Sequence, residues 1–273
     1  MKAKTISANS SKLLEQLHKR DLSFFSASDA TKLFPEMSSG AMSELLRKMV
    51  NGGLLLRILG GLYSIIPYEK DSSTYFPNWH QVAGALANPN EYYIGFYSAM
   101  EIHGLITQPS LVEQIVTKKQ ILPKERIVKN VRFDFITFNE KHFFGFRKQW
   151  IDDFTQVYCS DLEKTFVDCL YKPNYAGGIT EIVKALYKCR NQIDPKKLEE
   201  YSERFAAQVV FKRLGFICDR LAIFPELRDG LHKKITNAYA PLDPSLPKKG
   251  KTNPQWNIID NLDMDSILTA INS

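Results

Sequence analysis

Apolar positions along the first seventy residues fall into three helical faces followed by two β-prone runs. Leu13, Leu14 and Leu17 recur at helical spacing, with Ser10 or Ser11 placed to cap the start. Ser26-Ala27-Ser28-Asp29 is a second start signal; it leads into Ala30, Leu33 and Phe34, and Pro35 ends that short helix. Ser38-Ser39 opens a third helix whose apolar face is Met42, Leu45, Leu46 and Met49, and Asn51-Gly52-Gly53 stops it. Residues 54–58 and 62–66, joined by Leu59-Gly60-Gly61, predict a hairpin. Helix, helix, helix, hairpin is the order of a winged helix-turn-helix, in which the third helix enters the major groove and the hairpin lies over the backbone. Residues 1–70 are assigned to that module.

Periodicity then lapses. Residues 71–90 read as a connector, with a short helix from Val82 to Leu86 and a turn at Asn88-Pro89-Asn90. Residues 91–239 read as a larger mixed domain. Its segment 91–105 starts as strand and continues as helix, and 111–117, 131–138 and 155–159 are β-rich. The segments 161–171, 179–190, 195–204 and 206–221 carry helical patterns. Ser160-Asp161-Leu162-Glu163 is spaced as a capping box between Ser160 and Glu163. Short strands followed by a run of helices predict an α+β chain. Residues 240–273 form a tail packed on this domain: a Pro-rich extended strap, a short strand at 256–259 and a last helix at 265–271.

Composition narrows the function classes only modestly. Lys and Arg exceed Asp and Glu by 36 to 30, a net charge of +6. Residues 1–70 hold ten basic and six acidic side chains, net +4, whereas the other 203 residues hold 26 and 24, net +2. The excess therefore sits on the module whose fold suits a polyanion. The four cysteines, Cys159, Cys169, Cys189 and Cys218, show no metal or redox spacing and read as buried free thiols. MKAKTISANSSK lacks an apolar core and no 18 apolar residues run together, so a cytoplasmic protein with no secretory signal or membrane span is expected.

With its apolar face buried, the third helix presents Gly40, Ser43, Glu44, Arg47 and Lys48 outward. Ser38, Ser39 and Ser43 are placed to donate to phosphates near the helix N-terminus. Arg47 has the reach for guanine O6/N7 or a phosphate, and Lys48 and Arg57 add charge. Arg57 is the only cation near the Gly60-Gly61 wing tip, so strong binding requires a dimer or a second basic surface. Candidates for that surface are Arg204, Lys212, Arg213, Lys233 and Lys234, which read otherwise as scattered solvated charge. Asp161, Glu163 and Asp168 are the only dense acidic set, read as capping and surface groups. No catalytic motif, metal-ligand spacing or cofactor-binding loop is present, so no enzyme activity, cofactor or metal is expected.

The blocks GFYSAMEIHGLITQP (95–109), SDLEKTFVDCLYKPNYAGGI (160–179), FKRLGF (211–216) and APLDPSLPKKGK…QW (240–256) resemble, in this order, the AbiEi antitoxin family. The resemblance covers nearly the whole chain, and the SDLEKT…DCLY…GGI block is its most specific part. It implies a type IV antitoxin of an abortive-infection, phage-defence toxin–antitoxin pair. The N-terminal domain would repress its own promoter at inverted repeats, and the C-terminal domain would act against a nucleotidyltransferase-like toxin, with or without direct contact. It also implies basic operator-binding residues in both domains, here Arg47, Lys48 and Arg57, then Arg204, Lys212 and Arg213. The Gly-Gly wing departs from the Arg-bearing wings common in that family.

Two rivals follow from the same residues. One is a stand-alone winged-helix regulator whose C-terminal domain senses a ligand or oligomerises. The other is a nuclease or nucleotidyl-transfer enzyme built on Asp161 or Asp168.

Overall fold

Three helices and a three-stranded sheet form over residues 8–65 in the order α1 (Ala8–His18), β1 (Phe24–Ser26), α2 (Ala27–Leu33), α3 (Ser39–Asn51), β2 (Leu55–Leu59) and β3 (Leu62–Ile65). The computed structural model describes residues 4–106, 108, 110 and 112–272. Ser7 caps α1, one turn before the expected Ser10 or Ser11, and Ser10 is buried. Ser26 and Asp29 close a capping box on α2, where the serine accepts from the Asp29 amide and the carboxylate accepts from the Ser26 amide. Met42, Leu45, Leu46 and Met49 of α3 are buried, as their spacing requires. They pack with Leu13, Leu17, Phe25, Ala30 and Phe34 into a core of their own.

The strand β1 was not foreseen. It pairs antiparallel with β3, giving the sheet order β1-β3-β2. Three residues are too few to show an alternation, so only the tertiary pairing defines this strand. The β2–β3 hairpin turns at Gly60 and Gly61, whose φ values of +41° and +91° are conformations that favour glycine.

Contacts divide the chain into two units, residues 1–88 with 127–130, and residues 89–126 with 131–273. The expected connector, 71–90, is corrected here: up to residue 88 it belongs to the first unit. It contains α4 (Trp79–Ala87), which Asn78 caps and which buries His80, Val82, Ala83, Leu86 and Ala87. The helix was underread because its first turn, Trp79-His80-Gln81, follows a Pro-rich stretch that hides the periodicity.

The second unit is mixed. Its elements are β4 (Tyr92–Ile94), α5 (Phe96–Ile102), β5 (Val112–Thr117), β6 (Glu125–Val128, of which 127 and 128 are counted with the first unit), β7 (Val131–Thr137), β8 (Phe146–Trp150), β9 (Gln156–Ser160), α6 (Leu162–Tyr171), α7 (Ile179–Cys189), α8 (Pro195–Phe205), α9 (Gln208–Leu221) and α10 (Pro225–His232). These are followed by β10 (Ala240–Pro241), β11 (Lys251–Asn253), β12 (Ile258–Asp260) and α11 (Met264–Asn272). The strands β6-β7-β5-β4-β9-β8 make one six-stranded sheet. Within it β5 runs parallel to β7 and β4 parallel to β9, while β4–β5 and β8–β9 are antiparallel. The α+β class expected from the sequence is the observed one. Leu111, the first residue of the strand expected at 111–117, lies outside the described residues, as do 107 and 109 of the 95–109 block.

The tail is more deeply engaged than a surface strap. The strands β10, β12 and β11 form a small sheet, and Leu242 and Asp243 between them are buried. Trp256 is not in a strand. Its ring lies on α9 at Gly215, where an added Cβ would come within 2.0 Å of Trp256 Cζ3, so only glycine admits it.

Candidate nucleic-acid interface

The outward face of α3 gathers five of the six candidate residues of the first unit. Ser38 accepts from the Ala41 amide at 3.3 Å and so fixes the start of the helix. Ser43 Oγ donates to the Ser39 carbonyl at 2.9 Å, a local bond that an external acceptor can replace. Ser38, Ser39, Ser43, Arg47 and Lys48 are all exposed. Sequence spacing did not reveal how this face is wired. Arg47 grips Glu44 through two bonds, Nε to Oε2 at 2.8 Å and Nη2 to Oε1 at 2.7 Å. Lys48 Nζ lies 3.7 Å from the same carboxylate. The Arg47 hydrogen bonds hold the Glu44 carboxyl below its usual range and raise the guanidinium in return.

An exposed pair of this kind is screened by solvent and contributes little to stability, so Arg47 can leave Glu44 for a phosphate at small cost. Arg57, on β2 opposite Tyr63, is exposed and has no ion pair among the described residues. The face thus carries one carboxylate against the cations Arg47 and Lys48, with Arg57 on the neighbouring hairpin. Elsewhere in the unit, Lys19 and Lys32 are matched by Glu15 and Asp29. These carboxylates are already counted in the net +4 of residues 1–70, which the pairs distribute without reducing.

The second basic surface is not present as expected. Lys212 and Arg213 are only 2% and 3% exposed. The helix α9 runs through the core, and both side chains turn inward to satisfy backbone carbonyls. Lys212 donates to Ala238 O and, at 3.3 Å, to Thr236 Oγ1. Arg213 donates to Leu170 O at 2.7 Å and to Pro241 O at 3.3 Å, tying the end of α6 to β10. Burial pushes the Arg213 guanidinium down to about 10 and lowers the Lys212 ammonium as well. Of Arg204, Lys212 and Arg213, Arg204 alone is exposed, stacked 4.0 Å from the centre of the Phe144 ring. Lys234 is paired with Glu199 and Glu203.

The acidic set is also placed differently. Asp161, Glu163 and Asp168 are buried, not on the surface. The expected Ser160–Glu163 capping box does not form. Asp161 caps α6, accepting from the Lys164 amide at 3.0 Å, because Ser160 is still in β9 and bonds to Thr165. Glu163 instead accepts from the Asp194 amide at 3.0 Å and from Lys197 at 2.7 Å.

One polar centre escaped the sequence altogether. Lys164 and Asp168, one helical turn apart and with fully buried side chains, are ion-paired. Tyr93 Oη donates to Asp168 Oδ2 at 2.9 Å and accepts from Lys164 Nζ at 3.0 Å, closing a triangle. Rings of Tyr93, Phe138, Phe144 and Phe205 stand 5.0–5.3 Å from the ammonium. Burial lowers the Lys164 ammonium and raises the Asp168 carboxyl, each against the pull of the other. The i, i+4 spacing of opposite charges was the available signal; nothing in the sequence marks that face of α6 as interior. All four cysteines are buried and free, and burial raises every thiol.

No helix among the described residues is long and apolar enough to cross a membrane. No protein-family model matches the chain, and no curated protein matches it. Among solved structures, the crystal structure of the RV2827C protein from Mycobacterium tuberculosis is similar, with a TM-score of 0.70 at 15% sequence identity. The similarity covers 100% of this chain and 97% of that one, and at this identity it is a likeness of fold alone.

Proposed function

We propose that this protein is the antitoxin of a type IV toxin–antitoxin pair and that its first unit is a winged helix-turn-helix that represses its own promoter. The observation that carries the DNA-binding half is α3 itself. It is buried on Met42, Leu45, Leu46 and Met49, and it presents Ser38, Ser39, Ser43, Arg47 and Lys48 to solvent beside the hairpin that bears Arg57. A helix of 13 residues, exposed along one side and followed by a two-stranded wing, suits insertion into a major groove. The antitoxin half rests on the sequence blocks at 95–109, 160–179, 211–216 and 240–256 that resemble the AbiEi family.

Few cations face outward, so one copy makes few phosphate contacts. Two copies on an inverted repeat would multiply them, and self-association on DNA is part of the proposal. Burial of Lys212 and Arg213 removes the alternative of a large basic surface on α9.

Two experiments test the two halves separately. Titration of double-stranded promoter DNA should give salt-dependent binding that needs both half-sites; equal affinity for unrelated DNA would overturn the repressor assignment. Co-expression with a candidate nucleotidyltransferase-like toxin that arrests growth should restore growth, and residues 1–88 alone should not. Failure of the full chain to rescue would overturn the antitoxin assignment.

A further inference from the structure

A groove of about 930 Å³ opens in the second unit against the leading halves of β5 and β7 and one side of α7. That volume lies within the ~300–1,000 Å³ typical of small-molecule sites. At its floor, Gln114 and Asp134 are direct neighbours in the parallel β5–β7 register. Both are more than nine-tenths buried.

The Gln114 carboxamide is locked. Its Oε1 accepts from the Ser98 amide at 3.0 Å and from Ser98 Oγ at 2.7 Å, while Ser98 Oγ accepts from the Gln114 amide at 3.0 Å. Two donors on one atom fix which end of the carboxamide is oxygen, leaving Nε2 as a donor with no hydrogen-bond partner among the described residues. Asp134 is held by Arg132, with Nη2 donating to Oδ2 at 3.1 Å and Nε lying 2.9 Å from Oδ1 without the alignment of a hydrogen bond. Burial pushes this carboxyl up and Arg132 opposes the shift, so further N–H donors to it are favoured. A fixed donor thus stands beside a carboxylate acceptor. The rings of Tyr97 and Tyr175 line the same groove, as do Lys184 and Lys188, one turn apart on α7.

We propose that this groove binds a guanine nucleotide, with O6 accepting from Gln114 Nε2, N1–H and N2–H donating to Asp134 Oδ2 because Oδ1 is sealed from the groove, and the phosphates drawing Lys184 off Glu181 and Lys188 off the Gly104 carbonyl. Adenine presents the reverse pattern, setting its N6 amino group against Nε2 and its N1 lone pair against the carboxylate. Uracil matches O4 and N3–H but turns its O2 toward Asp134. The inference is independent of operator binding, and its test uses no DNA.

Calorimetric titration of the full chain with GTP, ATP, UTP and inorganic phosphate tests it. GTP should bind about tenfold or more tightly than ATP or UTP, since one such paired edge discriminates by ~1–3 kcal/mol. Asp134→Asn should turn the preference toward xanthosine triphosphate, because the new amide can donate to xanthine O2. A merely structural residue would not create that gain. The exposed double variant Lys184→Ala/Lys188→Ala should weaken GTP and leave guanosine unchanged. Absence of GTP binding at millimolar concentration, equal binding of ATP or phosphate, or loss of guanine binding in D134N without a gain for xanthine would each overturn the proposal.

Discussion

Buried charges account for most of the difference between the residue roles expected and those observed. Lys212 and Arg213 sit in a sequence, FKRLGF, that looks like an exposed basic dyad, yet both are interior and bonded to carbonyls. Truncating Arg213 leaves the carbonyls of Leu170 and Pro241 without this donor. Arg213→Ala should therefore destabilise the protein by about 2–4 kcal/mol in urea titration, with operator affinity of the folded protein unchanged. The Lys164–Asp168–Tyr93 triangle makes a sharper case. Lys164→Met should cost about 3–5 kcal/mol because it strands a buried carboxylate, whereas Lys164→Met with Asp168→Leu should recover much of that loss. A double variant no better than the single one would show that the pair is not the unit of stability.

Histidine titration is also read residue by residue. Burial lowers the His103 imidazole below its usual 6.5, and His103 Nε2 lies 2.8 Å from the Ser160 carbonyl oxygen. A depressed histidine is protonated more readily in the unfolded chain, so its contribution is complete above pH 6.5 and falls as pH drops through that value. The stability difference between wild type and His103→Gln should shrink from pH 7 to pH 5. A difference independent of pH would contradict this assignment.

At the scale of elements, long periodic segments were legible and short or interrupted ones were not. The helix α3 was readable because four apolar residues define one face and Ser38 marks its start. The segments α7, α8 and α9 were readable for the same reason. By contrast β1, β6 and β8 are three to five residues long; β1 pairs with the remote β3, and β6 and β8 are largely exposed, so no apolar run marks them. The helix α10 was missed because Pro225 at its first turn resembles a breaker, although proline is favoured there. Within the candidate interface, spacing identified which side of α3 faces out but not the fork of Arg47 on Glu44. Ser38→Ala should lower stability by about 1 kcal/mol through loss of the α3 cap, measured as a shift in the urea midpoint.

At the scale of the molecule, the net charge of +6 is less informative than its disposition. In the first unit Arg47, Lys48 and Arg57 lie on or beside the exposed face of α3, and on the proposed reading they carry the affinity for a polyanion. Each phosphate contact contributes about 0.9 to the slope of log affinity against log salt concentration. The most direct measurement is therefore the binding of full-length protein and the Arg47→Ala/Arg57→Ala variant to the promoter DNA over a range of salt. Both substitutions are at exposed positions, so the variant should fold as the wild type does. Loss of affinity, with a slope shallower by about 2 per protein copy, is the predicted result. Unchanged affinity and slope would contradict the assignment of α3 and its wing as the DNA-binding surface.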